Sequence, residues 1–103
     1  MRVLVTGAAG YFASQIIPAL LADDRIDGVV ATDREPLTLQ APKLRFAQRD
    51  LERDDPADLL ASCEAVIHLA FRVERRPGED TRAINVDAHQ RFLREAALAS
   101  EVL

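Results

Sequence analysis

The stretch "RVLVTGAAGYFASQIIPALLA", Arg2 to Ala22, decides the fold. It opens on "RVLVT", a short aliphatic and β-branched run stopped by Gly7, which is the pattern of a strand. Gly7, Gly10 and Ala13 then follow at intervals of three. From Tyr11 to Ala22 the apolar residues Ile16, Ile17, Leu20 and Leu21 fall at helical spacing, with Ala13 one turn earlier on the same face. Pro18 removes one backbone donor inside this helix and predicts a local bend. Strand, glycine turn and helix in that order assign a task to each small residue. Gly7 permits a tight turn that a Cβ would obstruct. Gly10 lets backbone come close to a bulky anion, and Ala13 lets the helix pack on the strand. The start of a helix carries unsatisfied N–H groups and a partial positive charge, so Gly7 to Phe12, with Ala9 and Tyr11 between them, is a candidate cradle for a pyrophosphate. The spacing is G-x-x-G-x-x-A, and by itself it also suits a glycine-rich turn that binds nothing.

Outward from this unit, strand and helix patterns alternate. "VVATD", Val29 to Asp33, reads as a second strand. "KLRFAQRD", Lys43 to Asp50, sets Leu44 and Phe46 on one side and Arg45 on the other, the half-exposed alternation of an edge strand. "DDPADLLASC" opens a short helix, with Asp55 as N-cap, Pro56 in the first turn and Asp58 beside the positive helix end. "AVIHLA", Ala65 to Ala70, is almost wholly apolar, as a central parallel strand is. A charged loop and a long helix from Thr81 to about Ser100 follow, with Ile84, Ala88, Phe92, Leu93 and Ala96 on its inner face.

This order predicts an α/β fold: a doubly wound, Rossmann-like parallel sheet of about four strands in the order 3-2-1-4, forming one dinucleotide-binding unit over residues 1–103. In that order "AVIHLA" lies at an open edge although it is apolar on both faces. The expectation is an incomplete sheet, whose fourth strand is covered by further chain or by another subunit in an oligomer.

Composition narrows the partners. A formal net charge of -4 argues against nucleic acid, whose phosphates require a basic surface, and offers no attraction to anionic membranes. The apolar stretch "IIPALLA" is too short to cross a bilayer, and no segment resembles a signal peptide. A single cysteine, Cys63, excludes an internal disulfide and fits a reducing, cytoplasmic setting. With no partner base near it in sequence, Cys63 reads as a small buried hydrophobe. Asp33 ends the second strand, where a carboxylate accepts two hydrogen bonds from an adenosine ribose and repels a 2′-phosphate, or is simply a solvated strand end. The first reading favours NAD over NADP; Arg34 beside it softens that preference.

"TGAAGYFA", "ATDRE", "RDL", "AVIHLA" and "NVDAHQRFLREAA", in this order and over essentially the whole chain, resemble the extended short-chain dehydrogenase/reductases, in particular the NAD-dependent epimerase/dehydratase group. The resemblance implies that Asp50 receives the adenine amine and Leu51 packs on the ring. It implies that Leu69 and Ala70 lie against the cofactor ribose, and that Asn85 helps to arrange the active site. Phe71 stands where the family has a small residue, near the expected nicotinamide. His68 matches the family's histidine in this strand and reads as a hydrogen-bonded core residue, since no ligand-spaced His or carboxylate surrounds it. Asn85 is otherwise a solvated helix-start residue, Asp50 a cap or surface carboxylate, and His89 a surface or packing residue. Arg72, Arg75 and Arg76 either contact a sugar-nucleotide phosphate or form part of a solvated mixed-charge loop.

The family's reaction is hydride transfer, with a Tyr base and a Lys four residues further on. Here the only tyrosine is Tyr11 and the only lysine is Lys43, and no such pair exists. The resemblance therefore implies the cofactor half of an enzyme on a sugar-nucleotide or similar hydroxyl or carbonyl substrate, with the catalytic residues outside these 103 positions. The alternative is a non-catalytic NAD(P)-sensing module complete at this length.

Overall fold

Three strands at the heart of the molecule are short runs of Val, Leu, Ile and Ala, residues that suit a pleated surface buried on both faces. In a computed structural model that describes residues 1–70 and 101–102, they are β1 (Arg2–Thr6), β2 (Gly28–Asp33) and β4 (Ala65–His68). They join β3 (Leu44–Gln48) and β5 (Glu101–Val102) in one parallel sheet of order β3-β2-β1-β4-β5. β1 is central, and its register sets Thr6 beside Thr32 on one side and beside His68 on the other.

Alternation along the strands sends side chains to two faces. Val3, Val5, Val29, Ala31 and Ala65 form one core with Ala13 and Ile17 of α1 (Tyr11–Ala22). Leu4, Val30 and Val66 form the other with Leu59 and Leu60 of α2 (Ala57–Ala61) and with Cys63. Helices on both faces make the sheet doubly wound, as its pattern predicts. α1 has no acidic residue in its first turn and no basic one in its last. Its stability therefore comes from the buried stripe of Ala13 and Ile17, flanked by Leu20 and Leu21. It runs unbroken through Pro18, which lies on its exposed side.

The structure corrects the expected open edge. β5 pairs in parallel with β4, placing Glu101 beside Ala65 and Val102 beside Val66. The fourth strand is thus an interior strand, which is why it is apolar on both faces, and this stretch of it needs no second subunit. β3, by contrast, is the edge strand its alternation predicts. Two boundaries shift: Leu69 and Ala70 lie beyond the end of β4, and α2 starts at Ala57 with Pro56 at its N-cap. Asp55 still caps this end, because its Oδ1 accepts the Ala57 N–H at 2.9 Å. The expected helix from Thr81 to Ser100 lies outside the described residues.

Candidate functional site

The C-terminal ends of β3, β2, β1 and β4 lie side by side, and the candidate residues line this edge of the sheet. The chain crosses from β1 to β2 in one direction and reaches β4 in the other, so the turn after β1 sits where ligands bind in open α/β sheets.

Gly7 has φ +67°, a conformation that suits glycine. A Cβ on it would overlap the Leu69 carbonyl and stand 2.8 Å from the Ala70 nitrogen. The turn therefore packs backbone to backbone on the segment after β4. At Gly10 a Cβ would meet the Gly7 carbonyl at 3.2 Å, so the missing side chain keeps the turn itself closed. Ala13 is buried on the first core, as the third small position requires.

An account of the N–H groups shows which donors the turn leaves open. Ala8 donates to the Thr32 carbonyl at 3.1 Å, Gly10 to the Gly7 carbonyl at 3.0 Å, and Ala9 to Asp33 Oδ2 at 2.9 Å. Ser14 donates to the Gly10 carbonyl at 3.1 Å. The N–H groups of Tyr11, Phe12 and Ala13 have no acceptor among the described residues. They are the available donors of the first turn of α1. The Tyr11 and Phe12 side chains point outward, 75% and 71% exposed, with their rings edge to face.

Asp33 is held by backbone on both oxygens. Oδ2 takes the Ala9 N–H and Oδ1 takes the Glu35 N–H at 2.9 Å, while the Asp33 carbonyl accepts the Arg49 N–H at 3.0 Å. A carboxylate has about four lone-pair sites, so each oxygen keeps one for a hydroxyl. Arg34 is tied at its carbonyl by Gln48 Nε2 at 2.8 Å, and its guanidinium lies 3.8 Å from Glu35.

Beyond β3, Asp50 anchors a tight turn. Its N–H donates to Asp54 Oδ2 at 2.7 Å, and its Oδ1 accepts the Glu52 N–H at 3.0 Å. Leu51 is half-buried against the second core. Arg49 grips Asp58 with both terminal guanidinium nitrogens, at 2.9 and 2.8 Å, and these hydrogen bonds, with its positive charge, lower the Asp58 pKa. This fork ties the Asp50–Leu51 turn to α2, a link that sequence reading misses because its partners lie nine residues apart across a turn.

At β4, Thr6 Oγ1 accepts the Leu69 N–H at 3.0 Å and lies 2.6 Å from His68 Nδ1. The Thr6 hydroxyl thus bridges the Leu69 backbone and the His68 ring. His68 is hydrogen-bonded, as expected, but it is half-buried at the end of β4 and belongs to neither core. No group of residues able to hold a metal occurs among the described residues. Thr6 itself, fully buried, is a member of the site that sequence reading overlooks. Thr32 Oγ1, buried next to it in register, has no hydrogen-bond partner among the described residues. Burial raises the Cys63 pKa, in keeping with a packing residue. Lys43 donates to the Asp23 carbonyl at 3.2 Å, at the far end of α1 from Tyr11, so the only tyrosine and the only lysine do not meet.

Of the residues singled out in the sequence, the structure brings Gly7, Ala9, Gly10, Tyr11, Phe12, Asp33, Arg34, Leu69 and Ala70 to one edge, with Asp50 and Leu51 following the next strand along. Phe71, Arg72, Arg75, Arg76, Asn85 and His89 lie outside the described residues. No described helix is long and apolar enough to cross a membrane.

Comparison with known proteins agrees with this geometry. UDP-glucose 4-epimerase of Mycolicibacterium smegmatis is 34% identical over 113 residues, which cover 96% of this chain and 36% of that enzyme. dTDP-glucose 4,6-dehydratase of the same organism is 34% identical over 80 residues, covering 68% of this chain and 24% of that protein. The solved structure of MoeE5 in complex with UDP-glucose and NAD has a TM-score of 0.82 at 34% identity, covering 99% of this chain and 35% of that one. The chain therefore spans about a third or less of the length of these relatives. The model of the NAD dependent epimerase/dehydratase family matches residues 3–101, and the chain belongs to that family.

Proposed function

We propose that this chain binds NAD as the cofactor half of an epimerase, dehydratase or oxidoreductase acting on a sugar nucleotide. The observation that carries the reading is the row of available N–H groups at Tyr11, Phe12 and Ala13, set beside a carboxylate, Asp33, with two lone pairs to spare. The N–H groups hold the pyrophosphate at the positive end of α1. Asp33 accepts the two hydroxyls of the adenosine ribose, and its charge excludes a 2′-phosphate while Arg34 stays beside Glu35. Asp50 and Leu51 receive the adenine. Leu69 and Ala70, pressed on Gly7, support the second ribose. When bound, NAD supplies the hydride acceptor; these residues orient it.

Tyr11 and Lys43 are too far apart in the fold to act as a Tyr–Lys pair, so chemistry falls to residues beyond these positions. The longer relatives, about three times this length by their coverage, favour that reading over a free-standing sensor. Residues 1–103 then act as one dinucleotide-binding unit. A cytoplasmic location is supported by the lone, buried thiol and by the need for NAD. The test is amide NMR during a titration with NAD. The Tyr11, Phe12 and Ala13 resonances are expected to shift first and farthest; shifts confined to other parts of the chain would reject this site.

A further inference from the structure

We infer that Asp33 is also a positioning residue: its carboxylate braces the glycine turn, so that its removal weakens ligands that never touch it. The inference rests on the proposed dinucleotide site and extends it. Asp33 sits at the tip of β2, and Ala9 lies 24 residues earlier at the crest of the turn. The bond between them, Oδ2 to N–H at 2.9 Å, is the one side-chain link from β2 to that turn among the described residues. It works with the backbone bond from Ala8 to Thr32. On the opposite side the turn rests on Leu69 and Ala70 through Gly7. Gly10 donates only to Gly7, within the turn itself. Ala9, at the crest, is therefore held to the sheet by Asp33, one residue beyond the backbone bond of Ala8. A second backbone bond, from Glu35 to Oδ1, fixes the carboxylate plane so that the brace cannot swing away. The N–H groups of Tyr11, Phe12 and Ala13 follow directly from this crest, so their aim depends on it.

Two consequences of Asp33 carry opposite signs for a ligand that has a diphosphate but no ribose hydroxyls. Its charge repels the diphosphate, so removing the charge alone strengthens binding. Its brace organises the donors, so removing the brace weakens binding. The probe is 2′,3′-dideoxy-ADP, which offers the diphosphate and cannot use Asp33 as a ribose acceptor. The affinity of this probe and the exchange rate of the Ala9 amide are measured in the full chain and in Asp33→Ala. Exchange is read in the protein without ligand and referred to the buried Leu4 amide, so that general loosening is factored out. The expected result is that Asp33→Ala weakens the probe about tenfold, the size of one lost charge-assisted hydrogen bond, and accelerates Ala9 exchange by at least as much while Leu4 is unchanged. Unchanged or tighter probe binding, or an Ala9 rate that does not move relative to Leu4, would overturn the inference. If the unaltered chain binds neither this probe nor NAD, the dinucleotide reading fails, and Ala9 exchange alone then decides whether the brace exists.

Discussion

Replacing Gly7 with alanine isolates the contact on which the site is built. At φ +67° a non-glycine residue is strained by about 1–2 kcal/mol. The new Cβ would also overlap the Leu69 carbonyl and lie 2.8 Å from the Ala70 nitrogen, both backbone atoms that can move only with their strand end. Overpacking of this kind costs about 1–3 kcal/mol. Together the two effects destabilise Gly7→Ala by roughly 3 kcal/mol, a large part of the ~5–15 kcal/mol typical of a domain. For a chain of this size that is a fall in Tm on the order of 10–20 °C. Gly10→Ala is the internal reference. Its Cβ would meet one atom, the Gly7 carbonyl, at 3.2 Å, and its φ of -83° is open to any residue. It should lose no more than about 1 kcal/mol. Urea unfolding of both variants, with slopes compared to exclude a change in the unfolded state, gives the difference. If Gly7→Ala proves as stable as Gly10→Ala, the turn does not press on the β4 segment as described, and the placement of Leu69 and Ala70 at the site falls with it.

Other consequences are as direct. Ile17→Ala should cost about 2–5 kcal/mol, because Ile17 is 1% exposed in the core under α1; Ile16→Ala, outside both cores, should cost far less in the same denaturation assay. Thr6→Val removes the hydroxyl between His68 Nδ1 and the Leu69 N–H and should destabilise by about 1–3 kcal/mol, with Thr6→Ser restoring most of it; equal stability of the Val and Ser variants would refute the role of the hydroxyl. The pKa of Asp58 is lowered from 3.8 by Arg49, so its contribution is complete above that value and disappears as pH falls through the lower folded pKa. Asp58→Asn should therefore reduce stability at neutral pH and flatten the acid limb of the urea-midpoint profile; an unchanged profile would mean that the fork contributes nothing. The Met1 amine behaves in the opposite sense. Its bond to Asp27 raises its pKa above 8.0, so its contribution is complete below that value and is lost as alkaline pH passes through the raised pKa. Asp27→Asn should reduce that alkaline decline in unfolding midpoints, leaving the smaller part owed to Glu64 at 3.8 Å.

How much of this was legible in the sequence follows from the range of each interaction. The extent of α1 and the order of the first four strands are local patterns of period 3.6 and 2, closed off by Gly7, Gly10 and Asp33, and they read correctly. Gly7 was legible as a turn residue, but its partner Leu69 was not, because 62 residues separate them and only the parallel register of β1 and β4 brings them together. The Arg49–Asp58 fork stayed hidden in a run of charges where many pairings are equally open. β5 was missed because two residues carry no periodicity, although the two-faced apolar pattern of β4 already required a neighbour there. The sequence presents Asp33 as a ribose acceptor and a charge against a 2′-phosphate. Its carboxylate accepts the Glu35 N–H two residues on, a local turn that Asp favours, but the Ala9 N–H lies 24 residues away and only the fold brings it there.

The central claim is that this arrangement of a glycine turn, available helix N–H groups and a braced carboxylate holds NAD. Isothermal titration of the folded chain with NAD, and separately with NADP, tests it most directly. The account predicts saturable binding of one NAD per chain, and weaker binding of NADP because a 2′-phosphate must approach Asp33. A chain that is folded by its unfolding transition and takes up neither dinucleotide would contradict it.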